Sequence, residues 1–231
     1  MNPMHVKPIV FIILFITSGT LYYDLTDAAP SLESYSVTRV IDGDTLILST
    51  NQKVRLKGIN TPEKNMPHYQ EAKDFLQNAA QNKSIQIQSY GTDKYGRILA
   101  HILIDDKSIN AKILQNGLAT LYYYEHDAHY EEYAKAEEFA RLNEKGLWKK
   151  SSDAHCIKLI ELKTDEPESL ILKNNCDKEL SITFKDDATH VYHEIIKPKL
   201  TFTKTFSHIW NTDGDSIYIR DNKGLLLFHR Y

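Results

Sequence analysis

Two short carboxylates, Asp42 and Asp44, flank Gly43 between runs of apolar residues. Oxygen donors of this kind suit a hard cation such as Ca²⁺ or Mg²⁺, and the glycine permits a sharp bend. The next such run carries Arg55. Glu63 follows Asn60-Thr61-Pro62, where the proline ends a strand and stiffens the turn. Farther on, Thr92-Asp93-Lys94-Tyr95-Gly96-Arg97 brings a second arginine to the start of another apolar run. A cation site, an acid able to act as base, and guanidiniums that fork onto phosphate oxygens are the parts that phosphodiester hydrolysis needs.

These residues form three separated motifs, IDGDT, VRLKGINTPE and DKYGR. Ile109-Asn110, then Asn116-Gly117-Leu118-Ala119, then a helix ending in Gly146-Leu147-Trp148 come after them. In this order, residues 35–150 resemble the thermonuclease family, the staphylococcal-nuclease-like domains. The resemblance implies an α+β fold, an OB-type five-stranded barrel with three helices. It also implies Ca²⁺-dependent cutting of single-stranded or locally open DNA and RNA, with Mg²⁺ or another divalent ion as alternatives. By motif position, Asp44, Asn60 and Thr61 are the metal ligands, Thr61 through its backbone carbonyl. Glu63 activates the attacking water, and Arg55 and Arg97 stabilise the phosphorane. Lys94, Tyr95 and Tyr123 fall where substrate is bound. Asn60 departs from the family, which carries a carboxylate there; the site loses one negative charge, and ligand charge tunes Ca²⁺ affinity. That departure keeps a second reading open, a catalytically faded protein that binds nucleic acid or adheres at a surface.

The elements that must position these groups follow from pattern. Residues 35–40, 45–50 and 53–58 read as strands, with Asn51-Gln52 as a tight turn. Ala72, Phe75, Leu76 and Ala79 at helical spacing predict a helix over 68–81, followed by strands at 84–90 and 97–104. A short helix is expected at 109–116 and a longer one over 130–147, with its glutamates on a solvated face. His126 and His129, flanking Asp127, read as solvated loop residues.

At the N-terminus a lysine-bearing segment precedes the apolar run Ile9–Ile16 and small residues, the order of a secretory signal. Residues 1–23 are therefore a signal peptide, or an uncleaved membrane anchor if Leu21-Tyr22-Tyr23 extend the apolar stretch. Residues 24–34 read as a linker, and the protein is expected to be secreted or held at the cell surface. A net charge of −3 excludes a strongly basic surface, so nucleic acid would have to be bound in a local groove.

From Cys156 onward, short β-rich runs separated by turn residues predict an all-β, immunoglobulin-like sandwich over 156–231. Its Trp210-Asn211, Gly214-Asp215 and Arg220-Asp221-x-x-Gly224 positions resemble the lamin-tail family. Asp213-Gly214-Asp215 repeats the earlier acidic motif, but without arginine and glutamate partners it reads as a turn. A hairpin centred on Glu166 would set Cys156 opposite Cys176, and an oxidising compartment would let them join. The partner of this second half is unknown from its residues.

Overall fold

A computed structural model describes residues 32–122, 128–188, 190–212 and 214–231. The N-terminal apolar segment, Tyr123, His126 and Asp213 lie outside the described residues. Among the described residues no helix is long and apolar enough to cross a membrane.

The first half is a closed five-stranded barrel. Strands β1 (Leu32–Val40), β2 (Thr45–Leu48), β3 (Lys53–Leu56), β5 (Ser84–Thr92) and β6 (Ile98–Ile104) form its wall in the order β3-β2-β1-β5-β6. Parallel pairing of β3 with β6, Arg55 opposite Leu99, closes it. Strand β1 starts three residues inside the expected linker because Leu32–Ser36 pair with the first five residues of β5, Ser84–Gln88. Two short strands, β4 (Ile59–Asn60) and β8 (Thr120–Leu121), pair at one mouth, and β7 (Lys107–Ser108) extends β6.

Three helices cover the barrel, as its family likeness implies. Helix α1 (Tyr69–Ala80) buries Ala72, Leu76 and Ala80, one side of the spacing seen in the sequence. Helix α2 (Ile109–Gln115) is capped by Ser108, whose hydroxyl accepts from the Ala111 N–H. Its fully buried Asn110 joins three chain segments: the amide donates to the carbonyls of Lys57 and Ala100 and accepts from the Ile102 N–H. Helix α3 (Tyr130–Leu142) stops short of 147. Glu144 and Gly146 take positive φ, and a 3₁₀ turn at Gly146–Trp148 follows. Gly117 and Gly146 lie back to back here: a Cβ on either would come within 2.3 Å of the other segment's backbone.

The second half is a sandwich of two antiparallel sheets. Strands β9 (Ile157–Lys163), β10 (Glu168–Asn174) and β13 (Thr201–Phe206) form one sheet. Strands β11 (Leu180–Lys185), β12 (Val191–Ile196), β14 (Ser216–Arg220) and β15 (Leu225–Arg230) form the other. Leu170, Leu172, Ile182, Phe184, Ile217 and Ile219 fill the space between, and Trp210 meets Phe206 edge-on. The β9–β10 hairpin brings Cys156 and Cys176 together in a disulfide.

Strand β14 is buried on both faces. Ile217 and Ile219 point into the sandwich, whereas Ser216 and Tyr218 are buried against the barrel half. Trp148 packs on Tyr218 and Phe228 with ring centroids 5.9 and 5.0 Å apart. Beside them Arg230 grips Glu137 of α3 through Nη1 at 2.5 Å and Nη2 at 3.3 Å. Glu137, 2% exposed, is the exception to the solvated acidic face expected of this helix.

Candidate active site

The acidic motif, the Arg55 strand and the DKYGR turn meet in a groove of about 780 Å³ at one mouth of the barrel. Asp44 leads into β2 directly beside β3, and its carbonyl accepts from the Leu56 N–H. Its buried carboxylate has four neighbouring donors. Oδ2 accepts from the Thr61 N–H at 2.9 Å and the Thr61 hydroxyl at 2.6 Å; Oδ1 faces Arg55 Nε at 3.2 Å and the Thr45 hydroxyl at 3.1 Å. The loop between these groups has no room for a side chain at Gly43. A Cβ there would meet that of Ala72 at 2.7 Å and that of Thr61 at 2.9 Å. Close approach, and not a left-handed bend, is what requires this glycine.

Arg55 binds three neighbours: Asp44, the Leu56 carbonyl at 2.6 Å, and Asn60 Oδ1 at 3.3 Å. Asp42, the first carboxylate of the same acidic turn, completes the set. Its Oδ1 accepts from the Asp44 N–H, and burial, then the charge of Asp44, push its carboxyl up to about 6. Two carboxylates in mutual repulsion beside an amide oxygen form a donor set that fits a hard divalent cation.

Across the groove, Asp93 organises the DKYGR turn by accepting from the N–H groups of Tyr95 and Arg97. Its second oxygen receives Arg97 Nε at 2.7 Å, leaving both terminal guanidinium nitrogens of Arg97 without a hydrogen bond among the described residues. Tyr95 is 72% exposed and lies under Lys94 at 5.2 Å and Arg97 at 5.5 Å. Glu63 is exposed on the rim, and no hydrogen bond or ion pair among the described residues holds its carboxylate. The fold thus brings Asp44, Arg55, Asn60, Glu63, Lys94, Tyr95 and Arg97 to one groove and sets Thr61 behind Asp44; Tyr123 lies outside the described residues.

Two features escaped the sequence. His129 is not a solvated loop residue: its ring stacks on His101 with centroids 3.7 Å apart, and its Nε2 meets Gln88 Oε1 at 2.9 Å. The groove also has a wall from the second half. Ala188, in the turn after β11, lines it, and Asn60 Nδ2 donates to the Asp187 carbonyl at 3.2 Å. By contrast, Asp215 of the repeated acidic motif is buried and accepts from the N–H groups of Asp187, Asn211 and Ser216. That is a turn-stabilising role.

A family model described as staphylococcal nuclease homologue matches residues 53–150. The thermonuclease of Staphylococcus hyicus is 30% identical over 152 residues, covering 61% of this chain and 90% of that protein. A Haemophilus influenzae protein described as an endonuclease is 34% identical over 141 residues, 58% of this chain and 78% of its own length. A staphylococcal-like nuclease of Arabidopsis thaliana is 36% identical over 107 residues, 46% of this chain but 32% of that longer protein.

Proposed function

The chain belongs to the thermonuclease family and is a nuclease, and from that premise we propose that it is an exported, divalent-metal-dependent phosphodiesterase acting on single-stranded or locally open DNA and RNA. The observation that carries this reading is the convergence, in one groove, of an unheld carboxylate, two guanidiniums and a carboxylate pair. Asp42, Asp44 and the Asn60 amide oxygen would hold the cation, Ca²⁺ first among candidates. Bound there, it would supply charge neutralisation and polarise a coordinated oxygen.

The remaining work falls to side chains. Glu63, which has no competing partner among the described residues, orients a water and takes its proton as the water oxygen bonds to phosphorus; the P–O bond to the leaving ester oxygen breaks, and that oxygen takes a proton from solvent. Arg55 is fixed by three acceptors, so its guanidinium is preorganised for charge that builds on the equatorial oxygens. Arg97 offers from the opposite side its terminal nitrogens, which make no hydrogen bond among the described residues. Tyr95, exposed beside Lys94, gives a base a stacking surface next to a phosphate-binding cation.

Cleavage of single-stranded DNA and RNA, with Ca²⁺, with Mg²⁺ and with chelator, tests this. Glu63→Gln should lower kcat by about 10²–10⁴-fold while leaving strand binding in place. If the wild-type chain binds strands but cuts none of them under any condition, the faded-binder reading replaces it.

A further inference from the structure

Beyond Asn60 and Glu63 the groove borders a second cavity of about 330 Å³, between the 60–67 segment and the outer face of the four-stranded sheet. Asn60, Glu63 and Ala188 line both, so the two spaces adjoin. Lys185 and Arg220 reach the second one from neighbouring strands. The register sets Thr183 opposite Arg220 and Lys185 opposite Tyr218, which places all four on the same face of the sheet.

The two cations differ in how they are held. Lys185 Nζ donates to the Asp186 carbonyl at 2.7 Å and rests over the Tyr218 ring at 5.1 Å. Arg220 has no such anchor: among the described residues no hydrogen bond or ion pair engages its guanidinium. Burial pulls its pKa down to about 10, which still leaves it charged at neutral pH. A half-buried guanidinium without an acceptor is costly, and its planar fork matches phosphate oxygens. The rest of the lining is mixed: Pro62, Met66, Leu147 and, beside Lys185 on the sheet itself, Val191 are apolar, and Glu63 and Lys64 add charge. A phosphate-binding fork beside apolar side chains, in a space at the small end of ligand pockets, has the make-up of a site for one nucleotide.

We infer that this cavity is a second nucleotide subsite, in which the strand engaged at the groove continues past Glu63 and sets a neighbouring phosphate on Arg220 and a base against the apolar side chains of Pro62, Met66 and Leu147. The inference rests on the nuclease reading above and adds a role for the second half: it extends the substrate path.

The test is fluorescence anisotropy of the full chain, in chelator, with single-stranded oligonucleotides of stepwise increasing length, for wild type, Arg220→Met and Arg220→Lys. Arg220→Met should weaken binding about tenfold once the strand is long enough to reach the cavity, and should leave the shortest strands unaffected. The slope of log affinity against log salt should fall by about 0.7, the share of one phosphate contact on a single strand. Arg220→Lys should keep that slope. The melting temperature of Arg220→Met should not drop, because an unpartnered charge has been removed. Unchanged binding and slope in Arg220→Met at every length, with wild-type cutting intact, would overturn the subsite and spare the nuclease. A loss equal at all lengths would also overturn it. Failure of wild type to bind or cut any strand would sink both proposals together.

Discussion

Replacing Arg230 by Met tests how the two halves are joined. Glu137 is 2% exposed, and three donors reach its carboxylate: Arg230 Nη1 at 2.5 Å, Arg230 Nη2 at 3.3 Å and the Leu121 N–H at 2.7 Å. Arg230→Met removes two of the three and leaves a buried charge with one backbone donor. Breaking a buried pair in this way costs about 3–5 kcal/mol, far more than the roughly 0–1 kcal/mol of an exposed pair such as Lys197–Glu179. Adding Glu137→Gln to the same chain removes the orphaned charge while keeping an acceptor for Leu121. The double variant should therefore be more stable than Arg230→Met alone, by about 2 kcal/mol. Urea unfolding of the four proteins, followed by tryptophan fluorescence, reads the cycle directly, since Trp148 sits in this interface and Trp210 in the sandwich. A cost below about 1 kcal/mol for Arg230→Met, or additive single effects, would refute the argument that this pair is desolvated and joins the halves.

Three other outcomes follow from the geometry. Asn60→Asp restores a carboxylate to the cation site, and metal titration should show tighter Ca²⁺ binding. The same change replaces the donor that reaches the Asp187 carbonyl by an acceptor, so stability should fall by about 1–3 kcal/mol; a variant that gains affinity at no cost would show that this contact contributes nothing. Burial pushes the Asp187 carboxyl up to about 6, with the Tyr218 hydroxyl and Arg230 opposing and Asp215 adding to the rise. The folded chain then binds this proton more tightly than the unfolded one, whose value is near 3.9; the stability is present below about pH 4 and is lost as pH rises through about 6. Asp187→Asn should accordingly gain on wild type across that window, by an amount on the order of 3 kcal/mol at pH 7, and a difference that does not vary with pH would count against it. Reduction of the Cys156–Cys176 disulfide, which spans 20 positions, should cost about 3 kcal/mol in the chain-entropy model, measured as the shift in denaturation midpoint between oxidised and reduced protein.

How far the sequence reveals this molecule depends on where each residue's partner lies. The longer strands and the helices of both halves are legible because their apolar period and turn residues are local, as in the β9–β10 hairpin and the Ala72 and Leu76 positions of α1, whereas the two-residue strands β4, β7 and β8 carry no such period. The groove was legible through short motifs whose members pair within a few tens of residues, Asp44 with Thr61 and Arg55, Asp93 with Arg97. Glu137 departs from the solvated face expected of the helix's glutamates because its partner, Arg230, stands at the far end of the second half. Its spacing did hold a clue: Tyr133, Glu137 and Ala140 share one buried face of the helix. Asn60 reads from the motif alone as a weakened metal ligand. The structure gives it a second task, a donor bond to Asp187 that a carboxylate could not make, and no local pattern signals a contact across 127 positions.

The paired glycines at the base of α3 carry a last consequence, for tolerance to change. Two family motifs that look independent along the chain, Asn116-Gly117-Leu118-Ala119 and Gly146-Leu147-Trp148, are two sides of one contact, since the Leu147 N–H donates to the Gly117 carbonyl and each glycine leaves room for the other's backbone. Alanine at either position collides with the partner segment, and alanine at both collides twice, so neither change can compensate for the other. In a saturation scan the two sites should behave as a single letter of the sequence, intolerant alone and intolerant together.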